Sequence, residues 1–182
     1  REANVKFEDT DNVTLELDVN TKISGSYDLV MNDSVDDIKS ASDWSYKYKF
    51  DSYESLHSGD SFGYVGQLAG YAKALGKKAG GWWVLNKANG LFKYVRAHID
   101  MDKELDKIKK NIKATESKEL VRCFEPEPET FRGKETGNMV LNKNCNFCSY
   151  RQSCWETLVE LPAQMSQAKE PKMVQYISLK SA

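Results

Sequence analysis

The sequence predicts an α/β fold with a mixed central β-sheet flanked by helices, and three observations carry that expectation. Alternating apolar and polar runs recur between Val5 and Ser40, the period of strands with one buried face. Phe62, Val65, Leu68, Ala69, Ala72 and Leu75 then follow helical spacing, and Trp82-Trp83-Val84-Leu85 returns to a short strand of buried type. A helix set between strand-like segments links separated parts of one sheet. With 182 residues the default is a single domain, 1–182, in which 123–155 forms a cysteine-bearing subregion.

Taken in order, Val5 to Glu8 and Val13 to Val19 read as two strands paired in an opening hairpin around the polar turn Asp9 to Asn12. Ile23 to Val30 is a third strand, reversed by Met31-Asn32-Asp33-Ser34 into Val35 to Ser40. Residues 41–61 lack clear periodicity and read as a long connection with a short helix around Trp44 to Phe50. The helix from Phe62 to Leu75 stops at Gly76, and Gly80-Gly81 leads into the Trp82 strand. Asn89-Gly90 is a hairpin signal that brings back Leu91 to Ile99. Met101 to about Leu120 is a charged amphipathic helix with Leu105, Ile108 and Ile112 as its buried stripe. Glu125-Pro126-Glu127-Pro128 breaks regular structure and opens the cysteine-bearing segment.

The four cysteines fall in one spacing, Cys123-x21-Cys145-x2-Cys148-x5-Cys154. Two thiols separated by two residues can turn toward one ion, and a third shortly downstream can close around it. Metal or cluster ligation competes with two disulfides and with unrelated buried thiols. Nothing from Arg1 to Phe7 resembles an apolar signal segment, which favours a cytoplasmic protein and reduced thiols.

Lysine and arginine number 26 against 27 aspartate and glutamate, a net charge of −1, so no global basic field advertises a polyanion. Local lysines such as Lys47, Lys49, Lys73, Lys77 and Lys78 can still meet phosphates. No apolar run approaches a membrane span, and no membrane partner is expected.

The catalytic candidates lie in the central strand pair. Asp28 near the end of one strand and Asp37 on the next are joined by a short turn, so antiparallel pairing brings both carboxylates to one side. Together they can hold a divalent ion such as Mg²⁺, whose bound water is a nucleophile for phosphodiester hydrolysis. Lys39, two residues beyond Asp37, shares its strand face and can orient that water or balance transition-state charge. Asp36 faces the other way by the same alternation.

Gly25-Ser26-Tyr27-Asp28, then Asp37-Ile38-Lys39, then Gln67-Leu68-Ala69-Gly70-Tyr71 resembles the PD-(D/E)XK nuclease superfamily in its RecB-like branch, in the expected order over roughly 13–155. The terminal Cys-x2-Cys-x5-Cys is similar to the iron-sulfur members of that branch, among them CRISPR-adaptation and phage recombination exonucleases. The resemblance implies a nuclease-like sheet and an Mg²⁺- or Mn²⁺-dependent exonuclease acting on DNA with single-stranded or free ends. Asp28, Asp37 and Lys39 would be catalytic, with metal held by Asp28, Asp37 and the Ile38 backbone carbonyl. Gln67 and Tyr71 would support the active site or the DNA. Cys123, Cys145, Cys148 and Cys154 would bind a 4Fe-4S cluster, Zn²⁺ being the alternative, and recombination or replication proteins are the expected partners. In that branch a His or Glu on a helix ahead of the first strand completes the metal site; here the context before Gly25 reads as strand, and Glu2, Glu8 and Glu16 are its candidates by type. The first cysteine of the best-known cluster members also precedes the nuclease core, whereas Cys123 follows it. Two other classes fit the same residues, a nucleic-acid-binding module that does not cleave and a zinc-stapled interaction domain.

Gln67 and Tyr71 are four residues apart and share a helix face, from which an amide and a phenol can reach a phosphate or the active-site lysine. Among the aromatics, Trp82 and Trp83 should alternate across the sheet with one in the core, and Trp155 should cover the cysteine site. Trp44, with Tyr46 and Tyr48, is the stacking candidate for unpaired bases.

Overall fold

The computed structural model describes residues 6–117 and 122–180. The chain gathers into two compact units, Arg1–Glu116 and Ser117–Ala182, and the cysteine-bearing segment falls in the second.

The first unit is built on a mixed five-stranded sheet of order β1-β4-β5-β6-β7, comprising β1 (Phe7–Glu8), β4 (Leu29–Met31), β5 (Ser34–Ala41), β6 (Lys78–Asn86) and β7 (Phe92–Arg96). A separate hairpin joins β2 (Asp11–Glu16) to β3 (Lys22–Tyr27). The expected pairing of the first two strands is not formed. Instead β2 pairs with β3 from Asp11↔Tyr27 to Glu16↔Lys22, and Phe7 pairs with Met31. The turn chemistry decides this: the Asp18 carboxylate accepts the N–H groups of Asn20 and Thr21, each at 2.9 Å, and closes a tight reversal after β2.

The strand expected from Ile23 to Val30 is interrupted at Asp28, which separates β3 from β4. Beyond it, Asn32 and Asp33 take φ of 49° and 67°, the left-handed pair that a two-residue hairpin turn requires. β4 and β5 therefore pair antiparallel with Leu29 opposite Asp36. β5 and β6 run parallel, and the chain between them forms a π-helical turn at Ser45–Lys49, then α1 (Tyr53–Ser58) and α2 (Tyr64–Leu75). A parallel pair needs such a crossover.

α2 lies against β2, β5 and β6 and buries Val65, Leu68, Ala69 and Ala72. These meet Val35, Trp82 and Val84 from the sheet. Trp82 is wholly buried and Trp83, one residue on, faces the other way, as alternation demands. Gly76 ends α2 at φ 64°, where a Cβ would be strained. α3 (Met101–Glu116) packs on α2, but its most buried residue is Glu104; the stripe of Leu105, Ile108 and Ile112 is half-buried. The expected continuation of this helix to Leu120 lies outside the described residues.

The second unit holds an antiparallel sheet of order β10-β11-β9-β8, made of β8 (Glu127–Phe131), β9 (Lys134–Val140), β10 (Val159–Pro162) and β11 (Met173–Ser178), with a four-residue helix α4 (Arg151–Cys154). Pro128 was expected to break regular structure, yet it sits on β8, an edge strand where a missing N–H costs no ladder bond. Tyr176 is fully buried and donates to Glu129 at 2.7 Å, while Asn138 and Thr136 donate to the other Glu129 oxygen at 2.7 Å. No described helix is long and apolar enough to cross a membrane.

The loop entering α2 is fixed by Asp60, whose carboxylate accepts from the N–H groups of Tyr64 and Val65 at 2.9 and 2.8 Å. Asp60→Ala leaves two helix-start donors without that acceptor and should cost about 1 kcal/mol in urea denaturation. An unchanged midpoint would show that the cap contributes nothing.

Candidate active site and cysteine centre

Alternation along β5 puts Val35, Asp37, Lys39 and Ala41 on the face covered by α2. Asp37 is buried and Lys39 half-buried. The Lys39 ammonium lies 2.8 Å from Asp37 Oδ1 and 2.6 Å from Oδ2. Only the first contact has hydrogen-bond geometry: Oδ2 is buried with no hydrogen-bond partner. Asp28, in the break between β3 and β4, turns its carboxylate across to accept the Ile38 N–H at 2.8 Å. The two carboxylates are close enough that Asp28 helps to raise the Asp37 pKa. The expected meeting of Asp28, Asp37 and Lys39 is therefore present.

Burial dominates the electrostatics of Asp37. Loss of solvent pushes its carboxyl up to about 6; the Lys39 hydrogen bond and charge pull the other way, and neighbouring Asp28 adds to the rise.

α2 supplies the next layer. Lys39 donates to Gln67 Oε1 at 3.3 Å, and Gln67 Nε2 donates to the Tyr71 hydroxyl at 3.1 Å. Gln67 and Tyr71 thus share a helix face; Gln67 reaches Lys39 directly and Tyr71 reaches it through Gln67. Gly25 earns its place sterically: a Cβ there would stand 2.9 Å from Tyr71 Cε1, so only glycine lets the phenol ring lie against β3. Gln67, Tyr71 and Gly25 also line an apolar cleft of about 240 Å³ with Leu15, Ile23 and Ile108.

Asp36 faces away, as alternation requires. It is buried on the opposite side of the sheet and accepts from the Tyr94 hydroxyl at 2.9 Å and Trp83 Nε1 at 3.2 Å. Of the upstream carboxylates, Glu8 stands 3.3 Å from Lys77 and Glu16 2.5 Å from Lys22, and Glu2 lies outside the described residues. Neither Glu8 nor Glu16 is brought to Asp37. His57 is 3.8 Å from Glu104, and its ring packs on Tyr53, as does that of His98.

Two features at this site escape sequence reasoning. Tyr64 lies beneath the lysine, with Lys39 Nζ 5.0 Å from its ring centroid, and Lys49 sits 4.8 Å from the rings of both Phe62 and Tyr64. Phe62 reads in the sequence as the first apolar position of a helix. The structure leaves it in the preceding loop, 71% exposed.

In the second unit no disulfide joins the described cysteines. Asn142 caps a 3₁₀ turn at Lys143–Cys145, the Cys148 N–H donates to the Cys145 carbonyl at 3.0 Å, and Cys154 ends α4. Cys145 has its thiol pKa raised, first by burial and then by the charges of Cys148, Cys154 and Cys123. Among the described residues, however, no three His, Cys, Asp or Glu side chains are disposed to grip an ion as they stand. Trp155 beside them carries the Arg122 guanidinium 4.1 Å over its ring, and Arg122 donates to the Cys154 carbonyl at 2.9 Å.

The raised pKa of Asp37 makes it a cost to folding in metal-free buffer. Its folded value of about 6 exceeds the unfolded carboxylate value, so stability falls as pH rises between the two, by about 3 kcal/mol in all. Asp37→Asn should be more stable than the wild type at pH 7.5 with EDTA, and the gap should close by pH 4. A variant less stable at pH 7.5 would show that the Lys39 pair outweighs the burial cost.

No family model matches the chain, and neither a curated protein nor a solved structure matches it.

Proposed function

We propose that the first unit is a metal-dependent DNA nuclease, an Mg²⁺- or Mn²⁺-requiring phosphodiesterase that acts as an exonuclease on single-stranded ends. The observation that carries this reading is the convergence on one face of Asp28, Asp37, Lys39, Gln67 and Tyr71, in the order that the RecB-like resemblance implies. The donor set suits an oxygen-preferring dication, because the buried Asp37 Oδ2 makes no hydrogen bond and Asp28 brings a second carboxylate beside it. Asp28, Asp37 and the Ile38 carbonyl would hold the ion, which supplies a bound water of lowered pKa and positive charge against the phosphate.

The chain's own residues then have separable tasks. Asp37, already carrying a raised pKa, must be ionised to act as a ligand, so cleavage should weaken in acid. Lys39 keeps an ammonium beside the carboxylates, where it stabilises negative charge building on the phosphate oxygens. Gln67 holds Lys39 from the helix side, and Tyr71 accepts the Gln67 amide while its own hydroxyl hydrogen can bond a phosphate. The cysteine centre of the second unit is read as the ligand set of a 4Fe-4S cluster, with zinc as the alternative, supported by the Cys-x2-Cys-x5-Cys spacing and by four thiols without a disulfide.

A binding module that does not cleave is the second reading. One observation favours it: no third His or Glu joins Asp28 and Asp37 among the described residues.

Each of Asp28→Ala, Asp37→Ala and Lys39→Ala should lower the rate of strand cleavage at least about a hundredfold, and chelation should abolish it. Wild-type rates from Asp37→Ala at saturating Mg²⁺ would overturn the assignment, and metal-independent DNA binding without cleavage by the wild type would favour the module.

Protein purified without oxygen should contain iron and sulfide, and Cys148→Ser should lose them. Stoichiometric zinc, released by the same substitution, would identify the site as zinc.

A further inference from the structure

Three aromatic rings form a column that begins in the core and ends in solvent. Phe50 is buried at its base, Tyr64 stacks on Phe50 at 6.0 Å with 24° between ring planes, and Phe62 stacks on Tyr64 at 5.7 Å and 20°. Phe62 closes the column at 71% exposure, so a large apolar ring stands in water beside the candidate site. Its burial contributes little to the core, and a single exposed phenylalanine would need no explanation. The stack, its anchoring and its charges do.

The column is held rigidly. Asp60 binds the N–H groups of Tyr64 and Val65, and Gly63 turns the chain at φ 75° between Phe62 and Tyr64. Two cations flank it. Lys39 approaches Tyr64 at 5.0 Å, and Lys49 lies 4.8 Å from both the Tyr64 and the Phe62 centroids. Parallel rings with one open end are the shape a nucleobase continues, and ammonium groups along the side meet the phosphates that accompany it.

We infer that Phe62 and Tyr64, with Lys49, form a base-stacking platform for the unpaired end of a DNA strand whose backbone runs to Lys39. The inference rests on the nuclease reading for its choice of DNA, and it names the substrate class: single strands or frayed ends, since a base paired within a duplex has no free ring face. Phe62 is a positioning residue and touches no reacting atom. The pair Trp44 and Tyr48, exposed and 5.5 Å apart, remains a separate surface feature.

The test uses the full chain in EDTA, so binding is read without cleavage. Single-stranded oligodeoxynucleotides carry 2-aminopurine at one end or the other, with a blunt hairpin as the paired control. The wild type should quench one terminal fluorophore. Phe62→Ala should lose that quench and bind the single strand about ten- to a hundredfold more weakly, Phe62→Tyr should restore both, and hairpin binding should not change. Melting temperatures should be equal, because the ring is exposed. Wild-type affinity and quench in Phe62→Ala overturn the platform, as does failure of the wild type to bind the single strand. Adding Mg²⁺ or Mn²⁺ separates the two readings. Loss of quench in Phe62→Ala with no cleavage by the wild type leaves the platform standing and removes the nuclease; cleavage with unchanged KM in Phe62→Ala does the reverse.

Discussion

Asp37 and Lys39 stand on the face of β5 that α2 covers, so a carboxylate and an ammonium occupy positions the same strand elsewhere fills with Val35 and Ala41. Most of the first unit can be understood as accommodating that pair. Lys39 lies within 2.8 Å of both Asp37 oxygens and still leaves the Asp37 pKa near 6, so the attraction does not offset the loss of water. A pair kept for stability would be replaced by two apolar residues at no loss. Its neighbours are shaped around it instead: Gln67 reaches down to Lys39, Tyr71 braces Gln67, and Gly25 gives up a side chain so that Tyr71 can approach. Perturbed, incompletely satisfied charge in such a setting is the feature on which the proposed nuclease reading rests.

The adjacent Asp36 makes the contrast internal to one strand. It is as buried as Asp37, and burial raises its pKa as well. But Tyr94, Trp83 and the Gly81 backbone all donate to it, whereas Asp37 Oδ2 has no hydrogen-bond donor. One carboxylate has a side-chain donor on each oxygen, which offsets part of its burial cost. The other keeps one buried oxygen without a hydrogen-bond partner. Residue type and burial alone would not separate them; the partners do.

Much of this was legible in the sequence because it rests on short-range rules. The period of two assigns Asp37 and Lys39 to one face and Asp36 to the other, and the Asn32-Asp33 turn places Asp28 beside Asp37. Helical spacing joins Gln67 to Tyr71. What was hidden depends on competition between distant partners. β2 has two plausible mates, and the Asp18 turn selects β3 through hydrogen bonds that alternation does not encode. Phe62 continues the apolar spacing of α2, yet Asp60 captures the helix start two residues later and leaves the ring outside. The strands of the second unit were obscured by Pro126 and Pro128, whose usual meaning fails on an edge.

The sheet of the second unit also changes what the cysteines can be asked to do. The segment after Pro128 carries Cys145, Cys148 and Cys154. The structure gives that segment four paired strands and a partly buried Glu129 that accepts from Tyr176, Asn138 and Thr136. Each of these bonds is charge-assisted, and together they hold the Glu129 pKa below its ordinary value despite partial burial. β8, β9 and β11 are tied by contacts that involve no sulfur. The chain between Leu141 and Leu158 is different, with a single 3₁₀ turn and a four-residue helix as its regular structure. Under the proposed ligation, its free energy would act on the loop that carries Cys145, Cys148 and Cys154, where regular structure is sparse, and not on the sheet.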